Sequence, residues 1–322
     1  MSRINPTDAV DVSFERYVQT RKAAVQSHMQ DGIPDYAYGA DYQLRQKIRA
    51  IPGFYPLVKA ISSTYVPRMI QQLQQGALLV GPGQFPDVYG MVSDCARRLG
   101  IGIPTVFVEN SSELNAYTYA YEDDSPVMVI TSTLLARVTP GELRVVIGHE
   151  CGHIHNNHGI YETAARILLN AAQIAVPGLR QIAALASVPL QLAFQTWSRA
   201  AEVTCDRAGV ICSEDPQDAV SLMTKFIYST AVGNREVNLD AILRQYDAIR
   251  STPVRLLELS MDHPLPVRRI FAIREFAGSR ILYSWRPEWK TPDQALTDKQ
   301  ELDARCEKYV SVTDSRKRRA AL

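Results

Sequence analysis

The sequence predicts a predominantly helical α+β protein in which a small mixed sheet packs on a helix that carries two histidines. Two observations support this prediction. Three short runs rich in β-branched and aromatic residues, bounded by turn residues, predict strands. A long region with helical spacing of apolar residues follows them. The strand-like runs are residues 105–108, 115–121 and 127–131, and the helical region begins at Pro140.

Further elements follow from the positions of apolar residues and of helix-breaking residues. Residues 77–80 predict a short strand that a Gly-Pro-Gly turn closes. A proline inside the third predicted helix, Pro67, predicts a break there. Gly100 predicts the end of the fourth helix. Helices are predicted at residues 12–29, 42–50, 57–75 and 86–99, from Asp215-Pro216, and from Pro264 through Ile270 and Phe276.

The helix that begins at Pro140 carries the most informative motif of the chain. Thr139 and Glu142 have the spacing of a capping box around Pro140. Further along, the chain reads His149-Glu150-Cys151-Gly152-His153. Histidines four residues apart lie on one helical face and can bind one zinc ion, with the glutamate beside them as a general base. The alternative is a polar helix that carries these histidines by chance.

A catalytic zinc site needs a third protein ligand besides the two imidazoles. Glu202 is the best candidate, because it lies 49 positions after His153, enough chain for a second helix to turn back across the first. Asp206 lies one turn further on and could accept the free N–H of a ligating histidine. The alternative is that both acids are solvated near Arg199 and Arg207.

Other nearby histidines fit a shared ion poorly. His155 and His158 do not have the metzincin spacing, which would require Gly at position 156 and His at position 159. We therefore expect both to be surface residues or residues that support the ligands from outside.

Composition limits the classes of function. The formal net charge of the 322 residues is +1, which argues against nucleic acid as a partner. Five cysteines without the spacing of a disulfide framework favour a reducing compartment. The first residues lack the apolar core of a signal peptide, so we expect a cytoplasmic protein.

An apolar stretch leaves the question of membrane contact open. Residues 167–197 are rich in aliphatic residues, but Arg180, two prolines and several polar residues interrupt them. The uncharged runs before and after Arg180, of 13 and 18 residues, fall short of the roughly 20 residues that span a bilayer. Buried helices of a soluble core are the favoured interpretation, and an interfacial hairpin is the alternative. The basic tail at residues 316–319 could touch anionic lipid or be a solvated terminus.

Three ordered motifs make the chain resemble the zinc metallopeptidases related to HtpX and to the Ste-type CAAX prenyl endopeptidase. The motifs are His149–His153, the Ser-Arg-x-x-Glu-x-x-x-Asp pattern of residues 198–206, and His263-Pro264 with Arg269-Ile270. The resemblance extends over residues 77–276 and looks most like soluble bacterial members. Residues Asn115, Ala116 and Tyr117 look like the start of the family's sheet beside the active site.

This resemblance implies a zincin-like (gluzincin) fold, with the sheet over the motif helix. It implies Glu202 as third zinc ligand and His263 as a stabiliser of the transition state. Arg269 could orient His263 or an acidic neighbour. Asn115, Ala116 and Tyr117 would bind an extended peptide by backbone pairing.

The sequence thus predicts a zinc metalloendopeptidase that holds one Zn²⁺ per chain and cleaves peptides or proteins. Glu150 would activate the attacking water. Two alternatives are a zinc-binding scaffold or latent homologue, and a hydrolase of non-peptide amides. We expect three regions: an N-terminal helical region at residues 1–75 packing on or covering the next, a catalytic region at residues 76–278, and a C-terminal extension at residues 279–322. Membrane association is possible but not favoured, and the sequence predicts no oligomeric state.

Overall fold

The structure is a computed structural model that describes residues 28–52, 54–119, 126–163, 188–228, 238–248, 265–292 and 294–310. Most of these residues are helical, with one small mixed sheet. The strands are β1 (Met29–Gln30), β2 (Ile33–Pro34), β3 (Leu78–Leu79), β4 (Thr105–Glu109), β5 (Ala116–Tyr119) and β6 (Val127–Thr131). The helices that precede β6 are α1 (Gly39–Arg49), α2 (Phe54–Gly76) and α3 (Pro86–Leu99).

The C-terminal half of the described chain is helical, as the sequence predicts. Its helices are α4 (Ser132–Arg137), α5 (Pro140–His155), α6 (Val188–Cys212), α7 (Pro216–Tyr228), α8 (Leu239–Ala248), α9 (Pro266–Ala277), α10 (Arg280–Trp285) and α11 (Lys299–Val310). A short 3-10 helix, Pro287–Trp289, separates the last two. Residues 159–163 are also helical.

The four-stranded sheet has the order β3-β4-β6-β5. β4 and β6 are parallel, and the outer pairs are antiparallel. All five residues of β6 are buried, which matches its continuous apolar run. β5 is therefore an edge strand on the side of α5, and the helix and the strand contact each other.

Helices α5 and α6 form the most extensive helix pair of the described chain, and glycines let their backbones approach closely. A Cβ atom on Gly148 would lie 2.5 Å from the Cβ of Cys212, and one on Gly152 would lie 2.8 Å from the Cβ of Ala208. The two glycines weaken helix propensity by about 1 kcal/mol each. Their absent side chains allow the contact that holds the two halves of the site together.

Three predictions about elements need correction or fall outside the described residues. Met29, predicted as the end of a helix, lies instead in a hairpin whose two strands have two residues each. Residues 12–27 lie outside the described residues. α2 runs through Pro67 without a break, because a proline removes only one helical hydrogen bond and other contacts can hold the helix together. The predicted start at Pro264 also lies outside the described residues; α9 begins at Pro266 in the part that is described.

Contacts extend from the predicted N-terminal region to the predicted catalytic region. The backbone N–H of Tyr38 donates to Thr204 Oγ1 of α6 at 3.0 Å. α1 packs against α6, and α11 packs against α9. The boundaries of the three predicted regions remain predictions. Within the described chain, no helix combines the length and apolarity needed to cross a bilayer. Residues 167–187 of the apolar stretch lie outside this description.

Candidate metal centre

Helix α5 presents His149, Glu150 and His153 to one cleft. The predicted capping box is present: the backbone N–H of Thr139 donates to Glu142 Oε2 at 2.7 Å, and the N–H of Glu142 donates to Thr139 Oγ1 at 3.3 Å. The cap fixes where the helix begins and therefore which face carries the motif. The Nε2 atoms of His149 and His153 lie 3.2 Å apart.

Helix α6 brings Glu202 to the same point. Its Oε2 atom lies 3.5 Å from His149 Nε2, and its Oε1 atom lies 3.7 Å from His153 Nε2. Ligands about 2.0–2.1 Å from a tetrahedral zinc ion are about 3.3–3.4 Å from each other. The three separations are close to that value, so these side chains fit a metal ion between them. Glu202 is buried, which contradicts the alternative of a solvated acid.

The outer nitrogens of both imidazoles contact carboxylates. His149 Nδ1 lies 3.1 Å from Asp206 Oδ1, and His153 Nδ1 lies 2.5 Å from Glu162 Oε1. A carboxylate in this position accepts the Nδ1–H and leaves the Nε2 lone pair for a metal. Burial opposes a charge on His153, but the Glu162 carboxylate, by its charge and its hydrogen bond to the ring, raises the pKa of this histidine above its usual value. Metal binding must therefore displace a proton.

Arg269 of α9 connects the two acids of α6. Its Nε donates to Asp206 Oδ2 at 2.8 Å, and its Nη1 lies 3.0 Å from Glu202 Oε2. Burial alone would raise the pKa of Asp206, but the Arg269 charge and the hydrogen bonds from Arg269 and His149 lower it. Asp206 is therefore a carboxylate at neutral pH. The sequence suggested His263 or an acidic neighbour as the partner of Arg269, and the structure shows acidic partners, Asp206 and Glu202.

Glu150 is held in place by a residue of the edge strand. Thr118 Oγ1 donates to Glu150 Oε2 at 2.7 Å, and both side chains are buried. The bond fixes a carboxylate at the wall of the cleft, beside the two histidines. This is the position that a general base for water needs.

Two other groups of potential ligand atoms lie in this area: His149, His153 and Cys205, and His153, His158 and Glu162. Burial raises the pKa of the Cys205 thiol far above its usual value, so the thiol is protonated. The second group would use His153 Nδ1, which already contacts Glu162. The set with Glu202 is favoured because it uses only the Nε2 atoms, and both Nδ1 atoms keep their carboxylates.

The cleft lies between β5 and α7. Its walls include the predicted binding residues Asn115, Ala116 and Tyr117 and an apolar group of Leu222, Met223 and Phe226. The Tyr117 hydroxyl donates to Glu109 at 2.8 Å, on the opposite face of β5 from Thr118. Any contact of Tyr117 with a substrate would therefore use its backbone.

Of the site residues singled out from the sequence, the structure brings His149, Glu150, His153, Glu202, Asp206 and Arg269 together, with residues 115–117 along the cleft. His263 lies outside the described residues. His158 is fully buried, so the interpretation as a surface residue is wrong; it contacts His153. His155 accepts or donates a hydrogen bond with Tyr36 at 2.9 Å.

Sequence reasoning missed Thr118 and Glu162. Strand alternation could have indicated Thr118, because it shares a face with Ala116. Glu162 follows His153 by nine residues, beyond the end of α5, and only the turn at residues 156–158 brings it back. No local pattern marks that turn as leading to the site.

Comparison with known proteins identifies the family. The profile of the peptidase family M48 matches residues 82–277, more than half of the chain. The chain is 33% identical over 254 residues to the plastoglobule-localized metallopeptidase 48 (chloroplastic) of Arabidopsis thaliana, covering 76% of this chain and 73% of that protein. It is 32% identical over 95 residues to a protease HtpX homolog of Acaryochloris marina, covering 30% and 32%. A protease HtpX homolog of Ralstonia pickettii is 25% identical over 216 residues, covering 60% and 74%.

No solved structure matches the chain. The family profile covers all the residues that the structure groups around the cleft, and the family name implies a metal, usually zinc, and a peptide or protein substrate. The chain therefore belongs to peptidase family M48, as an HtpX-like zinc-dependent metalloprotease.

Proposed function

We propose that this chain is an endopeptidase whose single zinc ion is held by His149, His153 and Glu202, in a fold of the gluzincin type. The observation that carries the proposal is the set of separations between three ligand atoms of two helices, 3.2, 3.5 and 3.7 Å. A zinc ion at that position would act as a Lewis acid and make a water molecule more acidic.

Glu150 is the proposed general base and general acid. Its carboxylate accepts a proton from the attacking water and passes it to the nitrogen of the departing amine. The hydrogen bond from Thr118 supports this role, because it restrains the carboxylate on the side of the cleft that faces β5. Asp206 and Glu162 hold the two imidazoles, and Arg269 keeps Asp206 charged. The role of His263 as a donor to the developing oxyanion stays a proposal from the family resemblance.

An extended polypeptide is the proposed substrate. β5 is an edge strand beside the ligands, so a peptide could add to it by backbone hydrogen bonds at Asn115 to Tyr117. The apolar group Leu222, Met223 and Phe226 lines the same cleft. It supports a preference for a large apolar side chain next to the cleaved bond. Unfolded proteins offer both an extended backbone and exposed large apolar side chains.

The proposed site of action is the cytoplasm, with contact at a lipid surface as a second possibility. Nucleic acid is not a proposed partner, because the net charge is only +1. The Arabidopsis relative is named as plastoglobule-localized. Fractionation of the source cells, with the chain followed by antibody, tests whether it co-sediments with membranes.

Zinc stoichiometry and cleavage of casein by the purified chain test the proposed function. We expect one zinc ion per chain, cleavage that chelator abolishes, and recovery on addition of zinc. Glu150→Gln should retain the zinc and lose cleavage by at least about 100-fold, because the proton acceptor is gone. Glu307→Gln, the same change at an exposed position of α11, is the matched control. Full cleavage by a zinc-loaded Glu150→Gln chain would contradict the role of Glu150, and cleavage without metal would contradict the whole proposal.

A further inference from the structure

A buried row of polar side chains connects helix α1 with His153. It begins at Asp41, whose carboxylate is fully buried. This carboxylate has three hydrogen-bond partners: His158 Nε2 at 3.0 Å, Trp197 Nε1 at 2.9 Å and Thr204 Oγ1 at 2.7 Å. His158 then contacts His153, since their Nδ1 atoms lie 3.2 Å apart.

The donors and acceptors of this row leave one arrangement of hydrogens for the two histidines. An ionised carboxylate only accepts hydrogen bonds, so Asp41 requires a hydrogen on His158 Nε2. On the other side, Glu162 lies 2.5 Å from His153 Nδ1 and requires a hydrogen there. Two N–H groups cannot face each other at 3.2 Å as a favourable contact, so His158 Nδ1 offers its lone pair to His153.

We propose that Asp41 is a positioning residue for metal binding, which acts through His158 to hold His153 in the tautomer whose Nε2 lone pair faces His149 and Glu202. The inference rests on the metal site proposed above. Glu162 acts on the same Nδ1–H directly, and the Asp41–His158 pair adds a second acceptor from inside the protein.

Through Asp41, helix α1 would contribute to the metal centre from outside the catalytic region. Asp41 lies outside residues 82–277, which match the family profile. Among the contacts that fix its helix to the core, Asp41 reaches α6 through Thr204, and the backbone N–H of Gly39 donates to Asp303 Oδ2 at 3.1 Å. Loss of this helix would therefore remove an acceptor of the histidine row as well as apolar packing.

The test compares the same substitution, aspartate to asparagine, at Asp41 and at Asp303, the two acids that hold α1 in the contacts named above. Asp41→Asn places an NH2 group against N–H or O–H donors and favours the opposite tautomer of His158. Asp303→Asn weakens the anchor of α1 and the ion pair with Arg207, but Asp303 contacts none of the histidines that the structure describes. We expect Asp41→Asn to weaken zinc binding about 10- to 100-fold in competition with a chromophoric chelator, and Asp303→Asn to change it by less than about threefold.

The outcomes separate this inference from the proposed function. A wild-type chain that binds no zinc would refute the proposed site. A wild-type chain that binds zinc, with equal losses of affinity in both variants, would refute the role of Asp41 alone. Long-range ¹H–¹⁵N NMR of the metal-free wild type needs no variant, so it decides even if Asp41→Asn does not fold. It should show a hydrogen on His153 Nδ1 and, on His158, a hydrogen on Nε2 with Nδ1 unprotonated; a hydrogen on His158 Nδ1 would overturn the inference.

Discussion

Substitution of Gly148 by alanine should weaken both the fold and zinc binding, although alanine is the better helix former. The new methyl carbon would lie 2.5 Å from Cys212 Cβ and 3.1 Å from Gly209 Cα. Carbon atoms pack at about 3.5–4.0 Å, so α5 and α6 must separate by roughly 1 Å. Such overpacking costs about 1–3 kcal/mol, against a gain of about 1 kcal/mol in helix propensity. The net loss in free energy of unfolding is then up to about 2 kcal/mol.

The same separation moves the zinc ligands apart, because α5 carries the histidines and α6 carries Glu202. Ligand distances in a metal site are normally satisfied to within about 0.2 Å, so a shift of this size should reduce zinc affinity at least about tenfold. The assays are urea denaturation of the metal-free chain and zinc competition. Gly90→Ala is the control: Gly90 lies inside α3 with nothing within 4 Å of the added Cβ, and should gain about 0.5–1 kcal/mol.

Cys212→Gly offers a rescue, because the double variant with Gly148→Ala moves one Cβ from α6 to α5. The double variant should regain most of the zinc affinity that the single variant loses. A Gly148→Ala chain that gains stability as Gly90→Ala does, with normal zinc affinity, would refute the close approach of the two helices.

Three further predictions concern the polar side chains of the site. Thr118→Val should reduce kcat about tenfold with zinc affinity unchanged, because Glu150 loses a hydrogen bond to a charged group; an equal fall in zinc content would contradict this. Asp206→Asn should weaken zinc binding about 10- to 100-fold and destabilise the metal-free chain by about 3–5 kcal/mol, since Arg269 loses a buried partner; competition titration and urea denaturation measure both. Burial alone would raise the pKa of Asp41, but His158 and its other partners lower it to about 2, below its value in the unfolded chain. Its contribution is therefore complete above about pH 5 and is lost as the pH falls towards 1, so between those values the wild type should lose about 2.4 kcal/mol more than Asp41→Asn in acid unfolding curves.

The elements with strong local signals are those the sequence predicted well. The helix over residues 86–99 has its proline at the start and Gly100 in the left-handed conformation at its end, with φ of 72°. The start of α5 at Pro140 follows from its capping box, and residues 127–131 form β6 as predicted. The hairpin at residues 29–34 was missed because two-residue strands have too few side chains for a period-two pattern.

The residues of the site also fall into those with a local sequence signal and those without one. His149 and His153 follow from spacing on one helix, and Glu202 with Asp206 from the spacing on another. The contacts that determine hydrogen positions join residues far apart in the chain: Asp41 is 117 positions from His158, and Thr118 is 32 positions from Glu150. No local pattern carries that information, because the register between α1, β5 and α5 is set by packing of the whole core.

The excess of carboxylates in the cleft favours the binding of a divalent cation. Among the described residues that line the cleft, Glu150, Glu162, Glu202 and Asp206 carry carboxylates, and Arg269 carries a guanidinium. Buried charges without partners cost several kcal/mol each, so the metal-free cleft holds more negative charge than its cation can balance. A divalent cation between the imidazoles and Glu202 reduces that excess. Metal affinity is then partly relief of repulsion that folding creates.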